Sequence, residues 1–226
     1  MASSPTSGVD HYVVMHVKLR TMINEFQYGD VAALGIPPGF SVFCDMDGTL
    51  VDTDYANYLS YRRAVIDATR GIHDIELTDE RLNRESLKTR LPSLTAAQLE
   101  VITSLKTRYF TEFLSETRLN AVLANLITNH SGKNKIVLVT CGREKRAVET
   151  LKYHKMLEYF TRLICWEALP QDGSSNKYER AIRLMGVTQE AVIVFENDNT
   201  GVEQAALAGV PRSNIYRVTS RLSEMS

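Results

Sequence analysis

The chain has 226 residues, 44% hydrophobic and 23% charged, with a formal net charge of -1. That is enough for one sizeable core plus a smaller lobe. The mixed charge lacks the basic excess of a nucleic-acid-binding surface.

The start, MASSPTSGVD, has no charged-then-apolar leader, and runs such as residues 136–139 and 192–195 are far too short to span a bilayer. Cys44, Cys141 and Cys165 make no CxxC pair, and the five histidines show no zinc spacing. A cytoplasmic, reducing setting without membrane or nucleic-acid partners is therefore expected. No oligomeric state can be read from the sequence.

Taken in chain order, residues 1–10 read as a tail, and the apolar positions between His11 and Phe26 predict a helix. Gly35-Ile-Pro-Pro-Gly39 is a turn. Residues 1–40 thus form an extension of tail plus helix. Ser41 to Cys44 is a buried strand ending at Asp45. From about 54 to 130 the pattern is wholly helical, with a capping box at Thr95-Ala-Ala-Gln98 and Leu99, Ile102, Leu105, Tyr109, Phe110 and Phe113 at helical spacing. A helix is also expected from Arg118 to His130.

Strands then alternate with helices. The strands are Lys135–Thr140, Arg162–Trp166, Ala191–Phe195 and Ile215–Val218, separated by helices near Arg143–Tyr153, Asn176–Met185 and Gly201–Ala208. Apolar strands without alternation, spaced by helices, imply a parallel sheet covered on both faces. The fold class is α/β, a Rossmann-like parallel sheet whose core spans 41–55 and 131–226, with an all-helical insert at 56–130.

Ligands of such sheets bind at the carboxyl ends of the strands. Four regions there carry suitable polar groups: Asp45-Met-Asp47-Gly-Thr-Leu-Val-Asp52, Thr140-Cys-Gly142, Lys177 at a helix start, and Glu196-Asn197-Asp198. A carboxylate nucleophile and a phosphate monoester repel each other, and a hard dication between them removes that repulsion.

In this order the motifs resemble the haloacid dehalogenase superfamily from about 41 to 218. The branch they resemble is that of phosphoglycolate phosphatases and β-phosphoglucomutases, with a C1-type helical cap. The resemblance implies a Mg2+-dependent phosphatase acting on a small phosphorylated metabolite through an aspartyl phosphate on Asp45. Asp47 would be general acid and base, Thr140 would hold phosphoryl oxygens, and Lys177 would neutralise charge. Thr49, Cys141 and Gly142 would line the phosphate loop. Lys88 and Arg90, placed like a cap specificity loop, would contact a second anionic group of the substrate. The metal would be held by Asp45, the Asp47 carbonyl, and a share of Glu196, Asn197 and Asp198.

Departures from the family pattern stand at Asn197, where relatives have aspartate, at Tyr178, where they often have proline, and at Cys141, where a small polar residue is usual. A phosphomutase and a catalytically weak binding or regulatory protein are the alternatives, the latter motivated by Asn197. A cysteine phosphatase does not fit, because Cys141 reaches Arg146 after only four residues.

Overall fold

The computed structural model describes residues 24–26, 34–78, 81–169 and 175–218. Its sheet is built from β1 (Asn24–Phe26), β2 (Ser41–Cys44), β5 (Lys135–Val139), β6 (Arg162–Ile164), β7 (Val192–Glu196) and β8 (Ile215–Val218), in the order β1-β8-β7-β2-β5-β6. Every neighbouring pair is parallel. A separate two-residue ribbon pairs β3 (Val51–Asp52) with β4 (Arg118–Leu119) in antiparallel fashion.

The central strands are apolar at every interior position, at 42–44, 136–139 and 192–195, because both faces are covered. Val42 and Cys44 of β2, Ile136 and Leu138 of β5, and Ile193 and Phe195 of β7 join one buried cluster with residues of α4 (Ala121–His130) and α5 (Glu144–Tyr153). The alternate residues Phe43, Val137, Val139, Val192 and Val194 join a second cluster with α6 (Lys177–Met185) and α7 (Asn199–Leu207). This period-2 division of side chains is the pleat of each strand seen in its packing.

β2 lies between β5 and β7, with Cys44 in register with Leu138 and Phe195. The chain runs from β2 to one neighbour through the helical insert and reaches the other only near its end. This makes a topological switch point, where a crevice opens at the carboxyl ends of the strands. The motifs at 45, 140 and 196 therefore meet although they lie up to 151 residues apart in sequence.

The insert consists of α1 (Asp54–Ala68), α2 (Arg84–Arg90), α3 (Ala96–Phe110) and a 3-10 turn at Thr111–Glu116. Its cluster of Tyr61, Ala64, Val65, Leu87, Leu99, Ile102 and Tyr109 is distinct from those flanking the sheet. The expected box at Thr95 is present, its hydroxyl accepting from Gln98 N while the Gln98 side chain accepts from Thr95 N. Phe113 falls in the 3-10 turn, beyond α3.

Three expectations are corrected. Arg118 and Leu119 are strand, because they pair with the chain leaving the first motif, and α4 starts only at Ala121, where the Asn120 side chain accepts from Leu123 N. The insert expected to run to 130 loses α4 to the sheet, since Leu123, Ala124, Leu126 and Ile127 pack there. Asn24–Phe26, expected at the end of a helix, is an edge strand beside β8, while residues 11–23 of that helix lie outside the described residues.

Candidate active site

The first motif leaves β2 in a tight loop. Val51 N donates to Met46 O at 2.9 Å and Gly48 N to Val51 O at 2.8 Å, with Gly48 at φ 83°, a left-handed conformation that glycine adopts without strain. A Cβ there would collide with the Asn197 side chain, so glycine also permits the close approach of the fourth motif.

At the floor, Lys177 Nζ donates to Asp45 Oδ1 at 2.8 Å and to Glu196 Oε2 at 2.7 Å. All three residues are buried. Glu196 also accepts from Tyr178 OH at 2.7 Å and, through Oε1, from Asn197 N at 2.9 Å and Asp198 N at 3.4 Å. Four donors occupy the lone-pair capacity of one carboxylate. Glu196, expected among the metal ligands, is thus committed to holding Lys177 and the loop after β7. Tyr178 supplies one of these donors, which the more usual proline could not.

Burial pushes the Asp45 carboxyl up to about 7, with Lys177 opposing the rise and Glu196 adding to it. Burial works against the Lys177 ammonium too, but its two carboxylates overcome that and hold its pKa above the usual lysine range. Asp45 Oδ2 and Asn197 Oδ1 both face Thr49 Oγ1, at 3.2 and 3.1 Å. One hydroxyl proton satisfies one of them at a time, which leaves an oxygen for another electropositive centre.

Asp47 is held from three sides. Thr53 Oγ1 donates to its Oδ1 at 2.7 Å, the Arg146 guanidinium donates to its Oδ2, and Arg81 Nη2 lies 3.8 Å away. Burial raises the Asp47 pKa, but Arg146, Arg81, the Thr53 hydrogen bond and Lys106 together outweigh it and leave the carboxyl below its ordinary value. Thr140 Oγ1 accepts from Gly142 N at 3.0 Å, which leaves the hydroxyl proton for a ligand. Asp198 Oδ1 caps α7 by accepting from Gly201 N at 2.7 Å.

These groups open into a cavity of about 460 Å³ between the strand ends and the insert. Asp45, Asp47, Thr140, Cys141, Gly142, Lys177 and Asp198 line it from the sheet, together with Arg143 and Arg146 of the α5 start. Asn57, Tyr61, Arg81, Thr103, Lys106 and Thr107 line it from the insert. Thr49 lies behind Asp45 and supports it.

Lys88 and Arg90, expected at the substrate, do not line this cavity. They sit on α2, whose apolar Leu87 turns into the insert's own cluster, and Arg90 is bonded to Glu76 O and Thr78 Oγ1. The basic residues that do reach the cavity, Arg81, Lys106 and Arg146, were missed. A signal existed for Arg146, which lies in the first turn of the helix after the Thr140 motif. Lys106 is three residues after Thr103 and four before Phe110, so it shares their helix face.

Among the described residues no three His, Cys, Asp or Glu side chains converge as a metal cage. The donors that do converge are the Asp45 carboxylate and the Asn197 amide oxygen, beside the Asp47 main chain. One carboxylate with neutral oxygens suits a hard cation that keeps much of its water, as magnesium does.

The profile of the haloacid dehalogenase-like hydrolase family matches residues 42–215. The chain belongs to this family. A curated relative, the phosphorylated carbohydrates phosphatase of Thermotoga maritima, is 29% identical over 195 residues, covering 81% of this chain and 87% of its own. A predicted phosphoglycolate phosphatase from Haemophilus somnus superposes with a TM-score of 0.65 at 17% identity, covering 77% of this chain and 84% of its own. A β-phosphoglucomutase from Clostridium difficile gives a TM-score of 0.58 at 18% identity, covering 75% of this chain and 81% of its own.

The branch recognised from the motifs is thus the branch of the relatives, and the family assignment makes the chain a hydrolase. The structural likenesses establish the Rossmann-like fold with its helical insert. No helix among the described residues is long and apolar enough to cross a membrane.

Proposed function

We propose that this protein is a phosphatase that hydrolyses a small phosphorylated carbohydrate or related metabolite through an aspartyl phosphate on Asp45. The observation that carries this reading is the buried Lys177, whose ammonium is fixed between Asp45 and Glu196 at the floor of the cavity. It lies where it would neutralise both the nucleophile and an incoming phosphoryl group.

In the first step an Asp45 carboxylate oxygen attacks phosphorus, and the bond from phosphorus to the ester oxygen breaks. Asp47 first takes up a proton from solvent, against the pull of Arg146 and Arg81, and gives it to the departing alcohol. In the second step Asp47 takes a proton from water, the water oxygen attacks phosphorus, and the Asp45 oxygen is released with inorganic phosphate. The free Thr140 hydroxyl proton holds a phosphoryl oxygen throughout. The helices of the insert act as a lid that excludes water during the first step.

Magnesium would be held by Asp45, the Asp47 carbonyl and Asn197, and would supply charge neutralisation between carboxylate and phosphate. Asp198, already capping α7, would approach that ion only through its remaining oxygen.

The test is a panel of phosphorylated metabolites with magnesium, read by phosphate release, with Asp45→Asn protein as control. Turnover by wild type above the control supports the phosphatase. Equal, background-level release from both favours the second reading, a catalytically weak binding protein, for which Asn197 is the motivating residue. Conversion of a phosphosugar to its isomer without net phosphate release would identify a phosphomutase instead.

A further inference from the structure

The charged side chains of the cavity are nearly all paired. Lys177 has Asp45 and Glu196, Arg146 has Asp47, Arg81 has Asp47 and Asp54, and Arg143 has Glu167 at 4.0 Å. Lys106 is the exception among the described residues. Its partly buried ammonium makes no direct ion pair or hydrogen bond: ring faces lie 5.1 Å away at the Tyr61 centroid and 5.4 Å at that of Phe110, and Asp47 attracts it only from farther off. The Arg146 guanidinium lies 5.1 Å from the same Phe110 centroid, so two cations share one ring. Tyr61, buried under Lys106, has a hydroxyl without a hydrogen-bond partner among the described residues.

An unpaired cation beside another cation, with a free hydroxyl donor nearby, is an unfavourable arrangement in the empty cavity. An anion entering it would relieve the repulsion and use the donors. Burial first, and then Arg146, depress the Lys106 pKa to about 7 against an upward pull from Asp47, and the charge of an entering anion would oppose that depression. The position has a further meaning. Lys106 adjoins Arg146, and Arg146 holds Asp47, the group that would protonate the departing alcohol. The cation therefore lies on the Asp47 side of the cavity, where the departing alcohol would be protonated.

We propose that Lys106, with the Tyr61 hydroxyl, binds a second anionic group carried on the alcohol portion of the substrate. This rests on the phosphatase reading and narrows it to phosphorylated hydroxy acids or sugar bisphosphates. The candidates for this contact thus move from Lys88 and Arg90 to the inner face of α3.

The experiment compares kcat/KM for 3-phosphoglycerate, fructose 1,6-bisphosphate and glucose 6-phosphate in wild type, Lys106→Met and Lys106→Arg. The expected result is that Lys106→Met lowers the ratio of 3-phosphoglycerate or fructose 1,6-bisphosphate to glucose 6-phosphate, whose alcohol portion is uncharged, by about 10-fold or more, and that Lys106→Arg restores much of it. Whichever anionic ester shows the effect identifies the second group as carboxylate or phosphate. An unchanged ratio for both overturns the proposal.

A calorimetric arm separates this outcome from failure of the phosphatase reading. In an Asp45→Asn background, where no ester turns over, 3-phosphoglycerate and fructose 1,6-bisphosphate are titrated with and without Lys106→Met. A Kd weakened about 10-fold for either supports the subsite, and equal Kd values for both overturn it.

Discussion

Lys177 donates to Glu196 at 2.7 Å, and Glu196 is the only one of the two with no exposed surface at all. Neither charge tolerates the loss of the other. Lys177→Met would leave a buried carboxylate with its hydroxyl and amide donors but no counter-charge. The expected cost is about 3–5 kcal/mol, which for a chain of this size is a fall in Tm of about 10 °C. The double variant Lys177→Met/Glu196→Gln should recover part of that loss, and thermal unfolding of both proteins checks it. A single variant as stable as wild type would mean that the pair is not formed in solution.

Asp45→Asn tests the nucleophile. Turnover should fall by at least about 10³-fold, because an amide oxygen is a poor nucleophile toward phosphorus. Lys177 keeps Glu196, so the protein should still fold. Phosphate release together with thermal unfolding separates a dead site from a collapsed one.

Arg146 binds the Asp47 carboxylate from α5, 99 residues further along the chain. Such a contact both aims the acid and alters its proton affinity. Arg146→Met should lower kcat/KM for alkyl phosphates by about 10–100-fold, the range for loss of one hydrogen bond to a charged group. p-Nitrophenyl phosphate, whose leaving group needs no proton, should be spared. Equal losses on both substrates would place Arg146 on the phosphate rather than on the acid.

Lys106 makes a pH-dependent contribution to stability. Its pKa is about 7 in the folded chain against an ordinary value of 10.5. Between these values the unfolded chain binds more protons, so stability gains from this group as pH rises. The penalty is present in full below about 7 and is relieved toward 10.5. Lys106→Met should therefore raise Tm at pH 6, with the gain shrinking as pH is raised toward 10. A difference that is flat with pH would show that the ammonium is not desolvated.

Asn197→Asp restores a carboxylate beside Asp45 and Thr49. The magnesium concentration for half-maximal activation should fall, since a second negative oxygen strengthens binding of a hard cation. Titration of activity with magnesium, wild type beside variant, reads this directly. Identical activation curves would remove Asn197 from the ligand set.

Much of this molecule was legible in order along the chain. The apolar runs at 41–44, 135–139 and 192–195 announce strands buried on both faces, and Asp45, Thr140, Lys177 and Glu196 follow strand ends or open a helix. Strand ends in a parallel sheet converge, so their meeting could be anticipated. The same reasoning failed at Arg118 and Leu119. Two residues hold too little pattern to outweigh the helical period that follows, and only pairing with Val51 and Asp52 makes them strand.

The amino-acid order alone determined five of the six strands of the sheet, the first motif with its family, and the presence of a helical insert, because periodicity and short motifs are local properties. Tertiary structure decided which basic side chains line the cavity. Lys88 and Arg90 stand on a helix that turns its apolar side inward, whereas Lys106, Arg81 and Arg146 are brought to one cavity from three segments. It also decided that Glu196 supports Lys177 instead of facing the open site. Charge pairing depends on distances through space, and no spacing along the chain encodes which carboxylate a distant cation will find.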